Sequence, residues 1–147
     1  MKISTKGRYA LRVMIELAST DSEKYISAKT ISEHQNISEK YLEQIISALN
    51  RAGMVKSTRG AMGGYKLLKS PSEYTVGMVL RSVEGNLAPV TCLEDEQNKC
   101  PRCNDCISLY VWEKIYAAIN DVVDNITIQD LIDHKNSISD TADNYVI

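Results

Sequence analysis

The stretch from Ile26 to Leu49 restricts this chain more than any other. It opens two helices with one device, used twice at an interval of eleven residues. Ser27 is a good N-cap, since its side-chain oxygen accepts from an otherwise unpaired backbone N–H of the first turn, and Ile26 and Ile31 stand at the two positions of a hydrophobic staple. Ser38 repeats the cap, with Ile37 and Leu42 as the second staple. Two capped helices separated by a turn around Asn36 predict a helix-turn-helix. In the second helix Leu42, Ile45, Ile46 and Leu49 follow the i, i+3, i+4, i+7 spacing of a core-facing stripe. Lys40, Glu43, Gln44 and Ser47 are left on the opposite side. Any solvated face looks like that, but this helix holds the place of the major-groove reader in such a motif.

The flanks extend the pattern. Ala10, Val13, Met14 and Leu17 predict a first helix with one apolar stripe, preceded by a flexible basic arm at Lys6 and Gly7. Downstream, Val55-Lys56-Ser57 and Tyr65-Lys66-Leu67-Leu68 read as two short strands around a glycine-rich tip, which makes a wing. Glycines let such a tip turn sharply and approach a ligand closely. Arg59 near the tip suits a narrow minor groove, where the negative potential is deepest. RGAMGGY is neither a Walker motif nor a Rossmann fingerprint, and no βαβ unit surrounds it.

The net charge of −2 hides an asymmetry. Residues 1–70 carry 12 Lys or Arg and 6 Asp or Glu, and residues 71–147 carry 5 and 13. A half of +6 beside a half of −8 suggests a module for polyanions joined to a part with another task. With 147 residues, 44% of them hydrophobic, the chain can bury one core without disulfides. No apolar run approaches eighteen residues and no signal-peptide pattern opens the chain, so a cytoplasmic protein without a membrane partner is expected. There is no Ser-His-Asp set, nucleotide loop or pair of carboxylates in a recognisable cleft, so no enzyme is expected.

In the acidic half Pro71 and Ser72 mark a break, and Val76, Val79, Leu80 and Val83 predict a short helix ended by Gly85. Ile107, Val111, Ile115, Ala118, Ile119 and Val122 predict a long helix over 107–123, with Trp112 buried against the neighbouring domain. In so short a chain that helix has little to pack on except a second copy.

Between the two helices lie all four cysteines, spaced Cys92-x7-Cys100-x2-Cys103-x2-Cys106. In a reducing compartment a tight thiol cluster reads as metal-binding or redox-active before it reads as disulfides. Soft thiolates select iron-sulfur clusters or zinc. Cys-x2-Cys-x2-Cys resembles part of the ferredoxin ligand run, while one lone cysteine before three close ones suits the paired spacing of zinc sites less well. Cys106, at the start of the long helix, is expected to gain from the positive end of the helix dipole.

MKISTKGRYALRVMIELA, ISEKYLEQIISAL, RAGMVKSTRGAMGGYKL and NITIQDL together resemble the bacterial winged-helix regulators of the IscR, NsrR and CymR family, from Met1 to about Leu131. The resemblance implies a mainly α fold with a small β-wing. It implies a winged helix-turn-helix domain over 1–85, a cysteine-rich cluster-binding loop over 86–106, a dimerisation helix and following segment over 107–131, and a flexible acidic tail over 132–147. It implies a homodimer on a palindromic operator in double-stranded DNA. Ser38, Lys40, Tyr41, Glu43 and Gln44 would contact the major groove, Arg59 with Gly60 and Tyr65 would serve the wing, and Thr5, Lys6 and Tyr9 would meet phosphates. A glutamate suits such a face because it accepts from the cytosine amino group.

Cluster-sensing members of that family use three cysteines and one other ligand. Cys92, Cys100 and Cys106 match the three, although the first spacer is longer. Leu109 stands where IscR-type proteins offer a histidine and Arg8 where NsrR-type proteins offer a carboxylate, which leaves Cys103 as the natural fourth ligand. A 2Fe-2S cluster is then expected, 4Fe-4S stays open, and zinc is the alternative. A second likeness competes: MKISTKGRY, the LEDE at 93–96 and a tail ending Tyr145-Val146-Ile147 resemble the CymR branch, clusterless repressors of cysteine metabolism associated with cysteine synthase. Ile147 would then dock that enzyme by carboxylate capture, with the thiols serving as a zinc site or a redox switch.

Overall fold

In the computed structural model, which describes residues 2–144, six helices and one hairpin follow the order α1 (Thr5–Ala18), α2 (Ala28–Gln35), α3 (Glu39–Arg51), β1 (Val55–Thr58), β2 (Gly64–Leu67), α4 (Val76–Glu84), α5 (Leu109–Asn125) and α6 (Ile128–Asn144). Serine caps start the first three helices, those at Ser27 and Ser38 as the sequence predicts and one at Ser4 that it does not. Ser4 Oγ accepts from Gly7 N at 3.0 Å, Ser27 Oγ from Thr30 N at 3.1 Å and Ser38 Oγ from Tyr41 N at 3.1 Å. Asn36 closes α2 in the left-handed region at φ 53°, a conformation that asparagine tolerates better than most residues. That single left-handed residue makes the turn of the helix-turn-helix.

The hairpin is antiparallel, with Val55 opposite Leu67, Lys56 opposite Lys66, Ser57 opposite Tyr65 and Thr58 opposite Gly64. Gly60 at φ 106° turns its tip, where an L side chain would be strained. Gly64 has another reason to be glycine. A Cβ there would collide with the backbone of Ile26, whose N and O pair with Tyr65 O and N at 2.9 and 2.8 Å. The wing is thereby fastened to the residue just ahead of α2.

One core holds the reading head together. Ala10, Val13 and Met14 of α1, Ile31 of α2 and Leu42, Ile45 and Leu49 of α3 are fully buried in it. The valine, methionine, isoleucine and leucine side chains among them each contribute roughly 1.5–3 kcal/mol by leaving water. The chain then doubles back. Val76 N donates to Ile126 O and Ile128 N to Tyr74 O, both at 2.9 Å, which seats Ile128 in the same core at zero exposure. A second, smaller cluster joins Val76, Leu80 and Leu87 to Tyr116, Ile119 and Val123 of α5.

Four features differ from the sequence reading. Lys6 and Gly7, expected as a flexible arm, form the first turn of α1, because Ser4 caps that helix. The long helix starts at Leu109 rather than Ile107, whose side chain is 92% exposed. Trp112 is half-buried and belongs to neither apolar cluster, so the inward anchor of α5 is Tyr116. Where a tail was expected from residue 132, α6 continues to Asn144. Its start explains why: Thr127 N donates to Asp130 Oδ2 at 2.8 Å and Asp130 N to Thr127 Oγ1 at 3.1 Å, a reciprocal cap, while Leu131 and Ile132 pack on the main core. Ile147, the residue of the expected docking to cysteine synthase, lies outside the described residues.

Candidate nucleic-acid interface and cysteine loop

Burial of Leu42, Ile45, Ile46 and Leu49 turns the polar face of α3 outward. Lys40, Glu43, Gln44, Ser47 and Arg51 line one hollow of about 420 Å³, and Lys6 of α1 joins them. Three cations thus surround a single carboxylate. Ser47 and Arg51 share this surface, whereas the sequence reading places only Ser47 on the outward face and assigns a contact to neither. Their signal was present in the helical spacing 40, 44, 47, 51. Tyr9 and Tyr41 meet edge to face at 6.1 Å and pack against the core, so they join α1 to α3 at the margin of this face. Ser38 has its hydroxyl engaged as a cap, and Thr5 Oγ1 accepts from Arg8 at 3.2 Å.

The wing tip forms a second surface. Arg59, Gly60 and Tyr65 are brought together around a hollow of about 400 Å³ with Ala28 of α2. Arg59 is exposed.

The α1 end of the reading head is tied to α4. Glu84 Oε1 accepts from Ser4 N at 2.9 Å and from Ser4 Oγ at 2.6 Å. Gly7 is buried beneath this carboxylate, and a Cβ there would collide with it. Gly85, at φ 87°, ends α4 and releases the chain into the cysteine loop.

That loop runs from Gly85 to Ser108. Cys92 sits on a 3₁₀ turn, Thr91–Leu93, and lines one hollow with Cys100. Cys103 N donates to Cys100 O at 3.1 Å. Cys106 precedes α5 by three residues. Its thiol is held below the usual value by a hydrogen bond with Ser108, whose Oγ lies at 3.3 Å from Sγ, and next by the backbone N–H of Leu109.

All four cysteines are free thiols and partly exposed. Among the described residues no three potential ligands are gathered into a metal-binding arrangement. The donor set nevertheless fits a thiophilic group: four unpaired thiols on one loop, with Asn98 Nδ2 buried nearby without an acceptor while its Oδ1 holds Cys100 N at 2.9 Å.

Residues 3–134 match the family model Rrf2, described as iron-dependent transcriptional regulator. The chain belongs to the Rrf2 family. Among its Rrf2 relatives, the HTH-type transcriptional regulator CymR of Bacillus subtilis is 47% identical over 131 residues, covering 89% of each chain. The regulator IscR of Pectobacterium carotovorum is 37% identical over 143 residues, covering 97% of this chain and 85% of its own. The solved structure of CymR, the global cysteine regulator of B. subtilis, superposes with a TM-score of 0.74 at 45% identity, over 91% of this chain and 98% of that one. As an Rrf2 protein the chain is a helix-turn-helix transcriptional regulator and not an enzyme. Among the described residues no helix is long and apolar enough to cross a membrane.

Proposed function

We propose that this chain is a homodimeric, cytoplasmic repressor of palindromic operators whose DNA affinity is set by an iron-sulfur cluster on the loop from Cys92 to Cys106. The observation that carries it is the placement of four unpaired thiols on the one loop that joins the DNA-reading half to α5. Two heads on a two-fold axis match two half-sites, with α3 in each major groove. Lys40, Glu43 and Gln44 face base edges, with Ser38 and Tyr41 at the start of α3. Lys6, Thr5 and Tyr9 lie toward phosphates, and Arg59, Gly60 and Tyr65 place the wing in the minor groove.

Cys92, Cys100, Cys103 and Cys106 would hold the cluster, taken here as 2Fe-2S, although four thiolates serve a 4Fe-4S cluster equally. Bound there, such a group supplies a redox-sensitive cross-link of the loop. The chain's own residues connect that loop to the head. Glu84, one residue before Gly85, fixes Ser4, and Ser4 caps the helix that carries Thr5, Lys6 and Tyr9. A change in loop order therefore acts on the pose of α1 and on the spacing of two heads joined through α5.

The test is anaerobic purification followed by visible absorption, with iron and acid-labile sulfide counted per chain and repeated on Cys103→Ser. A charge-transfer band with near-equal iron and sulfide, altered in the variant, is the expected result. A colourless protein that resists reconstitution yet binds a palindrome sinks the cluster and leaves the DNA reading standing. The similarity to CymR favours that second reading: a clusterless regulator of cysteine metabolism, its thiols a zinc site or redox switch, and its C-terminus a ligand for cysteine synthase.

A further inference from the structure

A crevice of about 580 Å³ lies between α1, α2 and α6, away from the face that α3 presents. Its exposed lining is mostly apolar, with Ile15 and Ile26 contributing, and its size falls in the range of small-ligand sites. Its polar groups are not equivalent. Glu16 is already engaged: its two oxygens meet His34 Nδ1 at 2.5 Å and Gln35 Nε2 at 2.6 Å, and its side chain is only 13% exposed. Gln35 must turn its amide N–H toward Glu16 to do this. Its Oε1 is consequently buried with no donor. Such an acceptor is costly unless something donates to it.

On the same crevice stand two cations, Arg12 and Lys135, with no carboxylate paired to either among the described salt bridges. Arg12 rests on the ring of Tyr9 at 4.9 Å. The site thus offers two positive charges, one orphaned acceptor beside a desolvated carboxylate, and an apolar surface between them. We propose that this crevice binds a small zwitterion of the amino-acid type with an apolar side chain. Its carboxylate goes to Arg12 and Lys135, its ammonium to Gln35 Oε1 beside Glu16, and its side chain to Ile15 and Ile26. An anion alone leaves Gln35 Oε1 unpaired, and an amine alone leaves the cations unused. A ligand there touches both the first helix of the helix-turn-helix and α6, so it would bias how the reading head is held.

The test is calorimetric titration of the full chain with L-leucine and L-methionine, beside 4-methylpentanoate, which lacks the ammonium, and isopentylamine, which lacks the carboxylate. Leucine or methionine is expected to bind, with each truncated probe at least about tenfold weaker. Arg12→Gln combined with Lys135→Gln should weaken leucine about tenfold or more and leave the truncated amine unchanged. Gln35→Met should do the reverse, weakening the amine and sparing the carboxylate, and the Gln35 side-chain amide resonances should move on titration of the unmodified protein. No binding of either amino acid at about 10 mM overturns the proposal, as does binding that neither variant alters. A crevice covered by a second copy of the chain gives that same negative result. DNA affinity and cluster content enter none of these readings, so the outcome is independent of the proposed function.

Discussion

Glu84 and Ser4 lie 80 residues apart and share the shortest side-chain link between the two halves of the chain. Their pairing decides what Gly7 is. In the sequence Gly7 reads as the flexible part of a basic arm, whereas in the structure it is buried inside α1 because the Glu84 carboxylate occupies the space of its absent side chain. No local pattern carries that information, since the residue that explains Gly7 is remote from it. The caps at Ser27 and Ser38 were legible for the opposite reason: cap and partner lie three residues apart. Hydrogen bonds to an ionised group stabilise by about 1.5–3 kcal/mol. Glu84→Ala should therefore lower stability by about that amount in urea unfolding, with Glu84→Gln between it and the unmodified protein. If the link also poses α1 for DNA, Glu84→Ala weakens operator binding more than its loss of folded protein accounts for.

At the scale of elements, periodicity predicted a stripe along α5 but not how it divides. Tyr116, Ile119 and Val123 turn inward to α4, while Val111, Ile115 and Val122 remain 48%, 37% and 56% exposed. The reading stripe merged two faces, because Ile119 belongs to one and Ile115 to the other and only the position of α4 separates them. In the proposed dimer the outer row is the surface that receives the second copy. Val111→Asp with Ile115→Asp should yield a monomer by size-exclusion chromatography with light scattering, at unchanged helix content, and a persistent dimer would move the interface elsewhere. The sequence reading ends its helices before α6 because the far half of α6 is polar and its start is held by a remote partner, Ile128 N donating to Tyr74 O. Asp130 there is held below its ordinary 3.8, first by the backbone N–H of Thr127. A carboxylate depressed in the folded state stabilises fully above its unfolded value and loses that contribution as pH falls through the folded one. Asp124, depressed chiefly by its hydrogen bond from Arg81 at 2.6 Å, acts in the same direction. Stability should hold from neutral pH to about 4 and decline below it. Asp124→Asn with Asp130→Asn should shallow that decline, which denaturant titrations between about pH 6 and 3 would show.

For the molecule as a whole, the split between a basic and an acidic half becomes a spatial arrangement only in part. The residues that make the first half basic include Lys6, Lys40 and Arg51 around one hollow and Arg59 at the wing tip, a distribution that suits a backbone running across α3 and past the hairpin. Lys56 and Lys66 stand opposite each other on the wing, where like charges repel unless an anion lies between them or water screens them. The acidic half contributes α4, the loop, α5 and an α6 whose first turn enters the basic half's own core. Each cation that neutralises a phosphate releases counterions, so log affinity falls against log salt with a slope of about −0.9 per contact on duplex DNA. The proposed dimer doubles each contact. Arg51 lines the same hollow as Lys6 and in the proposed arrangement lies toward phosphates with it, so Arg51→Gln should flatten that slope by about 1.8 and weaken all duplexes alike. Glu43→Gln, which faces base edges in the proposed arrangement, should instead change preference among operator variants by about 1–3 kcal/mol per half-site. Fluorescence anisotropy across a series of salt concentrations, on the palindrome and on an unrelated duplex, separates the two. An unchanged slope for Arg51→Gln would remove that residue from the phosphate track, and an unchanged preference for Glu43→Gln would remove α3 from direct readout.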